Sequence, residues 1–139
     1  MILQAVSSEQ LAELYHIRRE VFVVEQGVPE SLEYDEFEDV CNHYGFWLDG
    51  HAVACARWRL TKQGYAKIER CAVLIPYRGK KIGAAIVQHV INEIPEQNII
   101  YLHAQSNALG FYSRLGFEAV GSEFYEAKIP HFKMIFTHR

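Results

Sequence analysis

Residues 67–90, KIERCAVLIPYRGKKIGAAIVQHV, hold the side chains with the plainest chemistry. A β-branched apolar run leads into Arg78-Gly79-Lys80-Lys81-Ile82-Gly83-Ala84, and an apolar stripe at helical spacing follows. A loop that opens a helix presents unpaired backbone N–H groups and the positive end of the helix dipole, so it favours an anion. Arg78, Lys80 and Lys81 add side-chain cations. Gly79 and Gly83 have no Cβ to hold a ligand off the backbone. The chemistry is that of a phosphate or pyrophosphate cradle. Two common cradles do not fit. A P-loop carries a hydroxyl residue directly after its Lys, whereas Lys81 is followed by Ile82. The dinucleotide fingerprint G-x-G-x-x-G does not occur.

A consistent set of elements surrounds the cradle. Residues 2–6 read as a strand. Ser7 with Gln10 suits a capping box, and Leu11, Leu14, Ile17, Val21 and Val24 recur as one helix stripe. Gln26-Gly27-Val28-Pro29 breaks it. Strand-like runs at 43–48 and 52–60 flank Asp49-Gly50, a hairpin signal, and Gln63-Gly64 turns the chain into a strand over 65–74. Pro95 ends the cradle helix, and residues 99–104 read as a buried strand. Asn107 suits an N-cap and Gly116 a C′ position, which predicts about two turns of helix between them. Strands near 117–125 and 132–137 follow, separated by Ile129-Pro130. The predicted order is β-α-β-β-β-α-β-α-β-β.

Arg78-Gly79-Lys80-Lys81-Ile82-Gly83, behind an apolar strand, resembles the acyl-coenzyme A loop of the GNAT N-acetyltransferase superfamily, R/Q-x-x-G-x-G/A. Lys81 departs from the usual Gly; a helical φ would suit it there, and its ammonium would help to hold a phosphate. Residues 107–117, NALGFYSRLGF, are similar to the superfamily's helix that begins at an Asn and ends in Gly-Phe. The resemblance covers essentially the whole chain. It implies an α/β (α+β) fold: a single GNAT-like domain over residues 1–139, with a mixed central sheet of six or seven strands flanked by three to four helices. It also implies that Asn107 contacts the pantetheine arm and that Tyr112 lies near the thioester sulfur. The coenzyme would then run along Cys71, Ala72 and Val73, whose backbone N–H groups would meet the oxyanion, to the loop from Arg78 to Ala84. A narrower likeness lies in Arg19-Glu20-Val21-Phe22-Val23-Val24-Glu25-Gln26, Arg57-Trp58-Arg59, Ile68-Glu69-Arg70 and Ile129-Pro130-His131. These resemble a small bacterial branch, the YjcF/ElaA-like proteins.

The activity so implied is transfer of an acetyl group from acetyl-CoA to a primary amine, by direct attack in a ternary complex. An amine with a pKa near 10.4 is unprotonated in roughly one molecule in a few thousand at pH 7. Some group must therefore take its proton. Strand alternation places Glu69, Cys71 and Val73 on one face and Ile68, Arg70 and Ala72 on the other. Glu69 is the first candidate for base or ammonium anchor, and an ion pair with Arg57, Arg59 or Arg70 is the competing reading. Asp35, Glu36 and His131 are candidates on the acceptor side. Tyr112 is read as proton donor to the departing thiolate, against a packed aromatic; Cys71 reads as a small buried hydrophobe, with no acyl-cysteine required.

A length of 139 residues, 50% of them hydrophobic, suits one core. The longest apolar runs fall far short of the roughly 20 residues of a membrane-spanning helix. MILQAVSSEQ lacks the pattern of a signal peptide, and the odd count of 3 Cys suits reduced thiols, so a cytoplasmic setting is expected. No zinc-ligand spacing occurs among the 7 His and 3 Cys, so no metal is expected. The net charge of −3 disfavours nucleic acid. Between Glu20 and Ala56 there is no Lys or Arg but a run of acids: Glu20, Glu25, Glu30, Glu33, Asp35, Glu36, Glu38, Asp39 and Asp49. In the superfamily this segment borders the acceptor site, where a negative mouth would attract a cationic amine; a merely solvated acidic loop is the other reading. The expected partner is a small-molecule or peptide amine, and a homodimer through the carboxy-terminal strands is compatible with the resemblance. A non-catalytic acyl-CoA binding or sensing domain shares every cradle feature, and a lysine-directed protein acetyltransferase would differ by an open groove.

Overall fold

Ser7 starts the first helix as its side chain predicts: the Gln10 N–H donates to Ser7 Oγ at 3.1 Å, and the Ser7 N–H donates back to Gln10 Oε1 at 3.1 Å. The computed structural model describes residues 1–138. Its elements are β1 (Ile2–Gln4), α1 (Ser8–Arg18), which continues as a π-helical segment over Arg19–Glu25, α2 (Glu30–Glu33), β2 (Asn42–Leu48) and β3 (His51–Leu60). Then come β4 (Ala66–Val73), α3 (Ile82–Glu93), β5 (Ile100–Gln105), α4 (Leu109–Arg114), β6 (Phe117–Glu126) and β7 (Ile129–Phe136). The seven strands form one mixed sheet in the order β1-β2-β3-β4-β5-β7-β6, antiparallel throughout except where β4 meets β5. Helices cover both faces. Ile82, Ile86, Val87, Val90 and Ile91 of α3 pack with Ile68, Leu102, Phe117 and Met134 into the main core. On the other face, Leu14, Ile17 and Val21 pack with Ala52, Cys55 and Ala72.

Three local departures from sequence expectation shape the molecule. The helix stripe stops at Val21, and Val24 is exposed, because the wide π turn carries an extra residue and rotates the following side chains off the buried face. The last hairpin turns at Ala127 and Lys128, with φ 48° and 64°, and not at Ile129-Pro130, which begin β7. Pro130 is tolerated because β7 meets β5 only from His131 onward, so its missing N–H costs no bond in that ladder.

The third departure builds the site. Arg57 pairs with Glu69 and Cys55 with Ala72, so Arg70 and Cys71 together oppose Ala56 as a β-bulge, with Arg70 at φ 58°. The extra residue resets the alternation of β4. Cys71 and Val73 pack with Ile68 over the α3 core, whereas Ala72 joins the α1 core and Glu69 turns to Arg57 and Arg59. Glu69 and Cys71 therefore do not share a face, contrary to the simple alternation. Beyond Ile68, which pairs with Leu102, β4 and β5 no longer pair, and a wedge opens between them.

Candidate active site

Two cavities enter this wedge and share the walls Gln26, Cys71, Gln105, Ala108 and Tyr112. The larger, about 630 Å³, runs along Val73 to the start of α3 and is lined by Arg78, Gly79, Lys81, Gly83, Ala84, Asn107 and Arg114. Lys81 is the N-cap of α3 but has φ 65° and ψ 12°, a left-handed and not a helical conformation. This explains why Gly is the usual residue in the superfamily pattern: a Cβ there costs about 1–2 kcal/mol. No side chain caps α3, so its first-turn N–H groups remain available to an anion. Arg78 is not a free cation. Its Nη atoms donate to Glu25 at 2.8 and 2.6 Å and its Nε donates to the Val73 carbonyl at 2.8 Å. Arg78 in turn holds the Glu25 carboxyl below its ordinary pKa. Lys80 turns its ammonium toward the Tyr77 ring, 5.9 Å from the centroid, and does not line the cavity.

Asn107 lines the larger cavity but caps nothing: it sits within a 3₁₀ turn, Ser106–Ala108, and Ala108 occupies the N-cap position of α4. Gly116 closes that helix at φ 103°, as expected of a C′ residue. At the junction of the cavities, burial and then the neighbouring Cys71 thiol raise the Tyr112 phenol well above its usual pKa. Burial pushes the Cys71 thiol up to about 11. Both groups therefore carry their protons at neutral pH. Gln105 Nε2 donates to Gln26 Oε1 at 2.7 Å, tying β5 to the end of the π-helical segment across the same junction.

The smaller cavity, about 420 Å³, is bounded by α2, β4, β5 and the β6–β7 turn, and its wall includes Glu33, Lys67, Glu69, Arg70, His103 and His131. Glu69 lies 3.1 Å from Arg57, 2.9 Å from Arg59 and 3.3 Å from Lys67. Burial pushes its carboxyl up, but Arg57, Lys67 and Arg59 together overcome this and hold its pKa below the ordinary value. Behind it the acids of the Arg-poor segment are taken up one by one. Arg18, 2% exposed, binds Glu33 and Glu38 at 2.8 Å each. Arg57, 1% exposed, binds Asp35 at 2.7 Å and Glu38 at 2.8 Å. Arg70 bridges Glu33 and Asp35 at 3.1 and 3.4 Å. The expected negative mouth is thus largely neutralised by arginines from α1, β3 and β4. Asp35 lies inside this network, Glu36 is exposed, and neither forms part of the cavity wall. His131 does, beside Gln105 in the β5–β7 register. Among the described residues no cluster of His, Cys, Asp and Glu is arranged to hold a metal ion.

Residues 2–138 match the acetyltransferase (GNAT) domain. The chain belongs to the GNAT acetyltransferase family. It is 35% identical to the uncharacterised N-acetyltransferase YjcF of Bacillus subtilis, over 94% of this chain and 95% of the relative. A crystal structure of an acyl-CoA N-acyltransferase from Pseudomonas aeruginosa superposes with a TM-score of 0.83 at 27% identity, covering 99% of this chain and 97% of the other. The crystal structure of Escherichia coli ElaA gives 0.84 at 27% identity, covering 99% and 100%. An acyl-CoA fits the GNAT site found here. The uncapped α3 N-terminus, Lys81 and Arg114 face one cavity with Gly79 and Gly83, and this cavity leads to the unpaired edge of β4. Sequence reasoning missed Arg114, Arg70 and Gln26, which line the two cavities. Arg114 lies two residues after Tyr112, on a helix too short to show periodicity. Arg70 and Gln26 are placed by the bulge and by the π turn, neither of which has a local signal.

Proposed function

We propose that this protein transfers the acetyl group of acetyl-CoA to a primary amine by direct attack in a ternary complex. The observation that carries the reading is the meeting of two cavities at Cys71, Gln105 and Tyr112. A thioester lying along one cavity would present its carbonyl carbon to a nucleophile entering from the other. The backbone N–H groups of Cys71 and Val73, on the β4 edge beyond the last β5 partner, are available to the oxyanion, where a preorganised donor contributes about 3–4 kcal/mol. Direct attack is favoured over an acyl-cysteine because Cys71, the thiol at the junction, is held protonated with a pKa of about 11.

Tyr112 acts on the departing sulfur. A thiol titrates near 8.5, well below the raised phenol, so full transfer of the tyrosine proton is uphill. The phenol stabilises the thiolate by donating a hydrogen bond, and the thiolate takes its final proton from solvent. Glu69 is assigned to structure: ionised and bound to three cations, it neither matches a base poised near pH 7 nor offers a free negative charge to an ammonium. The donor is an intracellular metabolite, which supports a cytoplasmic setting.

The test is calorimetric titration with acetyl-CoA followed by thiol release against a panel of amines. Binding with thiol release for one amine class is the expected result and would name the acceptor. Binding without release from any amine would favour a sensing domain, and absence of binding would overturn the cradle assignment.

A further inference from the structure

We propose that His131 is the group that takes the proton from the attacking amine, through its Nε2. The assignment rests on the acyl-transfer reading above. His131 is 8% exposed and lines the smaller cavity. Its Nδ1 lies 2.7 Å from the Ile129 carbonyl oxygen, a group that only accepts, so Nδ1 carries the proton of the neutral ring. The lone pair is thereby fixed on Nε2. That atom has no hydrogen-bond partner among the described residues, and the residue lines the cavity. Phe124 stacks on the ring at 6.0 Å and 23°, which restrains its plane. The β5–β7 register sets His131 opposite Gln105, one of the residues where the two cavities meet.

Glu69 is otherwise engaged, bound by Arg57, Arg59 and Lys67, and its lowered pKa makes it a weak proton acceptor. Glu33 is the rival base on this cavity: burial pushes its carboxyl up, and Arg18 and Arg70 both hold its Oε1, at 2.8 and 3.1 Å. His103 holds Glu126 through Nδ1 at 2.7 Å, but it pairs with Lys133, two residues further along β5 from the junction. The titratable groups beside His131 are Glu126 on β6 and His103 on β5, while Lys133, two residues further along β7, holds its ammonium over the Tyr101 ring. Across the cavity stand Lys67, Glu69 and Arg70 of β4 and Glu33 of α2. Glu126 is the carboxylate that interacts with His131, and the same interaction lowers the Glu126 pKa.

In the step itself an ammonium gives one proton to Nε2, directly or through one water. The freed nitrogen lone pair bonds to the thioester carbonyl carbon, the C–S bond breaks, and its electron pair leaves with sulfur. The second N–H proton passes to solvent once the amide has formed, as does the proton held on the imidazolium. Imidazole suits this work because it is the side chain whose charge changes between pH 5 and 8.

The test uses the full chain with His131→Asn, whose amide can still donate to the Ile129 carbonyl, and His131→Gln, alongside His103→Gln. For wild type, kcat/KM for thiol release with an accepted amine is expected to rise with pH along a limb set by one group. Both His131 variants are expected to lose that limb and to fall at least a hundredfold in kcat/KM at pH 7, with acetyl-CoA affinity by calorimetry within twofold of wild type. His103→Gln should retain the limb. Independently of turnover, ring nitrogen NMR of the ligand-free protein should show the Nδ1-protonated tautomer for a signal that disappears in His131→Asn. A limb that persists in His131→Asn, or the opposite tautomer, would overturn the assignment while leaving the acyl-transfer reading intact. Failure of the wild type to bind acetyl-CoA would remove both.

Discussion

Lys81 stands at φ 65° where a residue without a Cβ is at ease, and it lines the cavity that would hold the coenzyme. The two properties separate by mutation. Lys81→Gly relieves the left-handed strain, partly offset by the greater freedom of Gly in the unfolded chain, and is expected to gain up to about 1 kcal/mol. Lys81→Ala removes the same charge without that relief, so thermal melting should separate the two variants while calorimetry shows similarly weakened coenzyme binding in both. Arg78 presents the reverse case, a cation already in use. Its clasp with Glu25, at 2.6 and 2.8 Å, joins two partly exposed side chains and contributes no more than about 1 kcal/mol to stability. A phosphate that recruits Arg78 has to displace Glu25. Glu25→Gln is therefore expected to tighten acetyl-CoA binding several-fold at low salt and less at high salt, where screening weakens the competing carboxylate anyway. Unchanged affinity at both salts would mean that Arg78 stays with Glu25 when the coenzyme binds.

Among the elements, what could be read from the sequence is what is decided locally. Ser7 and Gln10 cap α1 reciprocally, Asp49-Gly50 turns with φ 50° and 81° as a two-residue hairpin requires, and Gly116 ends α4. The bulge at Arg70 and Cys71 is decided instead by how β4 registers against β3, and the π segment by how α1 packs on the sheet, so neither had a short-range mark. Asn107 marks the boundary between these cases. Its residue type suits a cap, but the strand delivers the chain into a 3₁₀ turn first, and the cap position passes to Ala108. The difference is measurable by chemical denaturation. Ser7→Ala should cost about 1 kcal/mol, the worth of an N-cap side chain, whereas Asn107→Ala should change stability by less than about 0.5 kcal/mol. If Asn107 holds the pantetheine arm, its variant should nonetheless lose coenzyme affinity.

At the scale of the whole molecule, the charge distribution was legible in composition and misleading in effect. The acids between Glu20 and Asp49 form a block along the chain, but folding brings Arg18, Arg57 and Arg70 into their midst from α1, β3 and β4. Only long-range packing could reveal that pairing, and its consequence is an acid-labile joint on the α1 face of the sheet. The sign follows from Asp35, Glu38 and Glu69. Burial raises each of them, but their arginine partners outweigh it and leave all three below their ordinary values. A depressed carboxyl contributes stability that is fully present above its unfolded pKa, near 3.9 for Asp and 4.3 for Glu, and that is lost as pH falls through the folded value. On their account wild-type stability should decline steeply below about pH 4; buried His43, whose pKa burial lowers, adds a gentler loss below about pH 6.5, and Glu33, whose carboxyl burial pushes up, works in the opposite sense. Glu69→Gln leaves Arg57 and Arg59 without one buried partner, and is expected to cost about 3–5 kcal/mol at pH 7. Its decline below pH 4 should be shallower than that of wild type, because one fewer depressed carboxyl remains to be protonated. Denaturant midpoints from pH 3 to 7 for both proteins measure this directly. A loss of activity in Glu69→Gln without loss of stability would return Glu69 to the reacting atoms, whereas the expected loss of stability places it in the joint that holds β4 and its bulge beside the wedge.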